Sequence, residues 1–366
     1  MTYAISFTDI EQFQNHISNI PDLDVKNYIT GTVMNLITVT TYKDMKVKDE
    51  VADILDNILN NLNPELVNHS ILNITPLYVA VHNNKLEITE ALLAKGANPN
   101  EVDKNGCSLL YIACDKNFPE IANLLLKKGV NPNISDNSNR TPLMEACFNN
   151  SLELVDALLT KGANSNTVSK DKLTPLVIAC SKNSEKITSS LLENNANPNV
   201  IGPKGIIPLI IACSKNSEGI VSHLLKKNAN PNIEDRNGVM PLFVAYKNRS
   251  VRIMELLLEK EANSNVINRK TGTTLLYSVY NDNNLKIFRL LINHRANPNL
   301  SNIDGTTTLM AACEKGDLET AILLLKYGAD INKSNVKGDT PIRLACKNGN
   351  LELVKMLVEN GANLEI

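Results

Sequence analysis

The chain has 366 residues, 37 Lys and Arg against 39 Asp and Glu, and a formal net charge of −2. That balance supplies no global field to hold it on nucleic acid or an anionic membrane, and 4% aromatics without Trp disfavours a base-stacking surface. No apolar run reaches the roughly 18 residues of a membrane-spanning helix, and the start, MTYAISFTDIEQF, lacks a basic segment followed by an apolar one. The expectation is a cytoplasmic chain with no membrane span and no nucleic-acid partner.

Residues 1–69 follow no period. Thr8 and Glu11 form a capping-box pattern that opens a helix through about Ile20, ended by Pro21. A second apolar-periodic stretch runs from about Val25 to Tyr42 and a third from about Val47 to Leu62. Asn63–Asn68 then reads as a turn. These residues are expected to form a helical N-terminal capping region, because an array needs terminal units whose outer face tolerates water. The Leu/Ile pattern of residues 50–64 also resembles the helix of an F-box, which would imply an adaptor recruiting a ubiquitin-type or other modifying enzyme.

From residue 70 one sentence returns every 33 residues. Its opening slot falls at Thr75, Ser108, Thr141, Thr174, Ile207, Met240, Thr274, Thr307 and Thr340, with one extra residue between Met240 and Thr274. A fixed period of this size means stacked copies of one unit. Pro in the next slot (Pro76, Pro142, Pro175, Pro208, Pro241, Pro341) starts a first helix where its missing N–H costs nothing. That helix ends at a residue suited to left-handed backbone: Asn84, Asn117, Asn150, Asn183, Asn216, Asn283, Gly316 or Gly349. A second helix with paired large aliphatics follows, such as Leu158-Leu159 and Leu224-Leu225, closed by Gly96, Gly129, Gly162, Gly328 or Gly361. Asn195, Asn228, Glu261 and Arg295 stand in that closing slot in the middle repeats. Left-handed backbone at the last two costs about 1 kcal/mol each, so the array is expected to be weakest around repeats six and seven. Tyr246 and Tyr280 replace a small residue there and should spread the stack.

The period, the Thr-Pro-Leu opening and the two helices together resemble the ankyrin repeat, a β-turn plus two helices over about 33 residues. Nine copies cover residues 70–366. The resemblance implies an all-α fold: an ankyrin-repeat α-solenoid with a β-hairpin finger per repeat. One departure is systematic, since the His of the family signature is replaced by Tyr78, Tyr111, Met144, Val177, Ile210, Phe243, Tyr277, Met310 and Arg343. Six of the seven cysteines (Cys114, Cys147, Cys180, Cys213, Cys313, Cys346) share one first-helix slot that usually holds Ala in the family. Stacked helices sit about 8–10 Å apart, beyond the roughly 7 Å that a disulfide spans, so all six are expected to be reduced and buried. Cys107 lies apart on a finger. The Ala-Asn-x-Asn loops are expected to satisfy turn backbone through their Asn side chains, and the resemblance leaves hydroxylation open for Asn133 and its equivalents.

No Gly-rich phosphate loop, His/Cys ligand set or nucleophile–base pair stands out. The expectation is a chain without catalytic residues, cofactor or metal, monomeric in isolation, that works as a scaffold binding a protein or peptide. The resemblance places such a partner on the concave face, formed by finger tips and the exposed ends of the first helices. Apolar residues gather there in the central repeats: Phe148, Leu173, Ile201, Pro203, Ile206, Val239 and Phe243, with Arg140, Lys170, Lys204, Arg236 and Lys247 in a polar rim. Exposed apolar clusters mark interaction sites; the alternative is that these residues pack against neighbouring fingers and helices. The Asn/Lys/Ile-rich composition leaves open a microbial effector that acts in the host cytoplasm.

Overall fold

In a computed structural model the described residues are 22–39, 64–269 and 271–364. The expected helices through Ile20 and from Val47 to Leu62 lie outside them, as does the F-box-like stretch apart from Pro64. The chain divides into two compact units, residues 1–182 with 193–196 and residues 183–192 with 197–366.

The first unit begins with α1 (Asp22–Val39) and α2 (Pro64–Val67), so the expected turn at Pro64 is a single turn of helix. Three helix pairs follow: α3 (Pro76–His82) with α4 (Leu86–Ala94), α5 (Leu109–Asp115) with α6 (Pro119–Lys127), and α7 (Pro142–Phe148) with α8 (Leu152–Thr160). Helix α9 (Pro175–Ser181) opens a fourth. Ile29, Val33 and Ile37 of α1 are buried, and this helix packs on α3 and α2.

The second unit takes up α10 (Glu185–Glu193) through Leu192. It continues with α11 (Pro208–Ser214), α12 (Glu218–Lys226), α13 (Pro241–Lys247), α14 (Val251–Glu259), α15 (Leu275–Asn281) and α16 (Leu285–Asn293). The last two pairs are α17 (Thr308–Lys315) with α18 (Leu318–Lys326) and α19 (Pro341–Asn348) with α20 (Leu351–Glu359).

Each first helix starts where the periodic slot places it. Seven of the nine slot residues accept a backbone N–H three residues on, as Thr141 does from Met144. Ile207 and Met240 have no oxygen to offer, and α11 and α13 start without a side-chain cap. Each first helix stops at a left-handed residue, with Asn84 at φ 56° and Gly349 at φ 83°. The next N–H then returns to a carbonyl five residues back, Lys85 to Ala80 and Ser151 to Ala146, and second helices close the same way, Ala97 to Leu92. This closes the helix without leaving its last carbonyls bare.

The core is the same in every repeat. The first-helix Leu (Leu77, Leu143, Leu209, Leu309) and the second-helix Leu (Leu92, Leu158, Leu224, Leu324) are at most 1% exposed. Burying each contributes about 2 kcal/mol. Among the described residues the fingers form no regular strands; single antiparallel bridges close three of them, at Val102 and Ser108, Ile267 and Thr274, and Ser301 and Thr307.

All seven cysteines are free. Cys114, Cys147, Cys180, Cys213 and Cys313 are buried as expected, and burial pushes the Cys213 thiol up to about 12. Cys346 corrects the expectation: it is exposed, because it sits on the side of repeat nine that the next helix pair covers in the earlier repeats.

Repeats six and seven carry the expected strain. Glu261 and Arg295 are left-handed at φ 62° and 61°, and Arg249 adds a third such residue at φ 55° in the slot that Asn or Gly fills elsewhere. Tyr246 and Tyr280 are buried at 5% exposure, and α13 and α15 approach each other less closely than α11 and α13 or α17 and α19. Tyr246 compensates in part by donating to Asp282 at 2.6 Å.

Two outcomes test this account. Met240→Thr supplies the missing cap and should stabilise the second unit by about 1 kcal/mol, with Thr141→Ala costing the first unit a similar amount; denaturant titration measures both. Native-state hydrogen exchange should find the amides of repeats six and seven opening before those of repeats two and three, and Arg249→Gly should slow that opening.

Candidate protein-interaction surface

The fingers stand on side chains that hold turn backbone. Five residues before the helix-opening slot, Asp103 accepts the N–H groups of Asn105 and Cys107 at 2.8 and 2.9 Å. Asp136, Asp235, Asn302 and Asn335 repeat that pair of bonds. The last Asn of five of the loops between repeats reaches further than expected, into the next repeat. Asn133 donates to Gly162 O at 3.0 Å and accepts from Asn164 N at 2.7 Å; Asn199, Asn232, Asn299 and Asn332 do likewise. Sequence reasoning assigned these asparagines to their own turns. The recurrence of Asn at a 33-residue spacing was the signal for an inter-repeat bond.

The ten expected contact residues divide between the two units. In the first, Arg140 lies over the Phe148 ring, 4.7 Å from its centroid. Its guanidinium also approaches the Glu145 carboxylate at 3.5 Å. Tyr111 donates to that same carboxylate at 2.9 Å. Glu145 is 4% exposed, and burial raises its carboxyl above the ordinary range despite the Tyr111 bond and the Arg140 charge. Phe148 is half-buried beneath Arg140, whereas the matching positions Asp115 and Ser181 are exposed. Leu173 is half-buried on its finger, where its N–H donates to Ser169 Oγ at 3.0 Å. The Glu145–Tyr111 contact went unseen in the sequence because it joins residues 34 apart on neighbouring first helices.

In the second unit, Ile201 and Ile206 are 61% and 40% exposed, and Arg236 and Lys247 are exposed. Pro203, Val239 and Phe243 are half-buried, so packing between repeats takes up part of this apolar set. Lys247 sits over both Phe243 and Tyr246, 5.5 and 5.3 Å from their centroids. Arg236 crosses the finger of the preceding repeat: a Cβ added at Gly205 would lie 2.5 Å from Arg236 Cγ.

Elsewhere in that unit His223 faces Glu185 through Nε2 at 3.5 Å and Ser189 through Nδ1 at 3.4 Å. Both contacts are long and the Glu185 side chain is 58% exposed, so this grouping joins two second helices at the surface. Among the described residues no three His, Cys, Asp or Glu side chains converge as metal ligands do. No helix there is long and apolar enough to cross a membrane.

Because the folded-state pKa of Glu145 is raised, the stability linked to it is present at low pH and is lost as pH rises through that value. Glu145→Gln keeps an acceptor for Tyr111 and removes the titration. Thermal melts should show the variant equal to the parent near pH 4 and above it at pH 7.

Known proteins bear on this architecture. The family model for ankyrin repeats in sets of three matches residues 45–136, 129–202, 191–268, 209–302 and 275–366. Over 77 residues the chain is 51% identical to an ankyrin repeat protein of Rickettsia bellii (strain RML369-C), a match that takes in 21% of this chain and 8% of that protein's length. Among solved structures it is similar to the ankyrin repeat domain of Bcl-3, titled a unique member of the IkappaB protein family. That likeness has 25% identity and a TM-score of 0.50 and covers 59% of this chain and 98% of that domain. With matched segments running from residue 45 to the last residue, and with the capped helix pairs and left-handed closures described above, the chain belongs to the ankyrin-repeat family.

Proposed function

We propose that the chain is a non-catalytic scaffold that binds a protein or peptide along the finger tips and the exposed ends of the first helices, the side that is concave in the family. The observation that carries this is the contrast between slots. Core positions repeat with little change, whereas the exposed first-helix slot runs through His82, Asp115, Phe148, Ser181, Ser214, Lys247, Asn281, Glu314 and Lys347. Stability requires the constant positions, and a surface that changes from repeat to repeat suits recognition of one particular partner.

Within that surface Arg140, Phe148 and Leu173 form the part contributed by the first unit. Ile201, Pro203, Ile206, Arg236, Val239, Phe243 and Lys247 form the part contributed by the second. The exposed Ile201 and Ile206 serve as apolar anchors and the charged groups as a rim, the arrangement in which a few desolvated residues carry most of the binding energy. Residues 1–69 act as the cap of the array, and α1 against α3 supports that reading. The adaptor alternative rests on residues 50–64, nearly all outside the described set, and gains nothing from the geometry.

The test is capture of a partner with the full chain as bait, followed by the doubly substituted Ile206→Glu, Val239→Glu chain. The parent should retain a partner that the variant loses, by at least about tenfold in affinity, with circular dichroism unchanged. Equal retention by both would remove the second unit's finger face from the binding surface.

A further inference from the structure

The repeat-five finger lacks the side chain that holds most of the others. Asp103, Asp136, Asp235, Asn302 and Asn335 hold their fingers by accepting two backbone N–H groups each, and Ser169 accepts one. In repeat five the same position is Gly202, which has no side chain to accept anything. That finger instead forms a tight 3-10 turn over Pro203–Gly205, in which Ile206 N donates to Pro203 O at 3.0 Å in place of a side-chain acceptor. Two consecutive residues are left-handed in it, Lys204 at φ 53° and Gly205 at φ 82°. Each of the neighbouring fingers has a single one, Lys172 or Gly238.

The finger shows apolar side chains on both sides of its turn. Ile206 is 40% exposed, as Ile74 in the matching slot is at 39%, whereas Leu173, Val239 and Thr306 there are half-buried. Ile201, on the other side of the turn, is 61% exposed. Lys204 is exposed at the tip, and Arg236 lies across Gly205 beside it. The nearby acids are already engaged. Glu234 pairs with Arg269 at 2.5 Å, and Asp235 accepts the N–H groups of Asn237 and Val239, both at 2.8 Å. Lys204 and Arg236 have no ion-pair partner among the described residues.

Two cations without an ion-pair partner among the described residues, Lys204 on the finger and Arg236 across it, therefore lie beside the exposed Ile201 and Ile206. We infer that the repeat-five finger, with Arg236 across it, is a docking point for an acidic segment of a partner protein that carries an apolar side chain between its carboxylates. This rests on the scaffold reading above and deepens it by naming the class of partner. A carboxylate against the Arg236 guanidinium gives a directional, charge-assisted pair, and an apolar side chain covers Ile201 and Ile206. Nucleic acid fits less well: two exposed isoleucines offer a phosphate backbone nothing, and two cations release few counterions.

The full chain is titrated into fluorescein-labelled DELDEFDEL, with KKLKKFKKL, DESDESDES and a single-stranded thymidine oligonucleotide as comparisons. The acidic apolar peptide should bind, weaken as salt rises, and bind more tightly than each comparison. The doubly substituted Lys204→Glu, Arg236→Glu chain should lose about tenfold or more. Lys204→Gly removes the charge at a position where glycine relieves left-handed backbone, so it should weaken binding with no fall in melting temperature. No binding of DELDEFDEL, equal or tighter binding of KKLKKFKKL or the oligonucleotide, or unchanged affinity in both variants would overturn the proposal. A captured partner that is lost with Ile206→Glu, Val239→Glu but kept with Lys204→Glu, Arg236→Glu overturns the acidic class while leaving the scaffold reading standing.

Discussion

No repeat in this chain can finish its own backbone. A seven-residue first helix leaves nearly as many unpaired N–H and C=O groups as it pairs, and unpaired polar groups are expensive wherever water is excluded. Neighbours supply what is missing. The Asn133 amide takes a carbonyl and an N–H from the loop that closes repeat three. Asn149 donates to Cys114 O and Asp115 O, the last carbonyls of the preceding first helix, at 2.9 and 2.7 Å. Asn248 does the same for Cys213 O and Ser214 O. Fingers are joined too, Asn137 N to Asn105 O at 2.8 Å and Lys170 N to Ser138 O at 2.9 Å. Apolar burial holds each repeat against the next, and these bonds fix the register in which it is held.

That dependence explains where the array tolerates change. Core slots accept only residues of the right volume, so Ala and Cys alternate with little consequence while Tyr246 and Tyr280 push first helices apart and need Asp282 and Asp317 to receive their hydroxyls. Finger tips meet no such demand once the turn backbone is satisfied. In repeat five Gly202 has no side chain to accept the Ile206 N–H, so Pro203 O accepts it at 3.0 Å, and the tip presents Ile201, Lys204 and Ile206.

The two units carry different chemistry on their fingers. In the first, Arg140 is already occupied, held between the Phe148 face and the Glu145 carboxylate, so its charge is partly balanced within the chain. In the second, Arg236 is held only by the shape of the finger beneath it. A charge with an internal partner contributes mainly to order, and one without a partner is available to a ligand.

The 33-residue period, the Thr-Pro-Leu opening and the left-handed Asn or Gly closures were sufficient in the sequence to determine nine helix pairs and their core, because each is a local rule about caps, backbone handedness and apolar spacing. Strain at Glu261 and Arg295 was legible for the same reason. Tertiary structure decided what joins residues one period apart: the Asn bridges between loops, Glu145 under Tyr111, Arg236 across Gly205, and which of the apolar surface residues remain exposed. Those pairs are some 30 residues apart in the chain and become neighbours only when one repeat stacks on the next, so no local pattern could specify them.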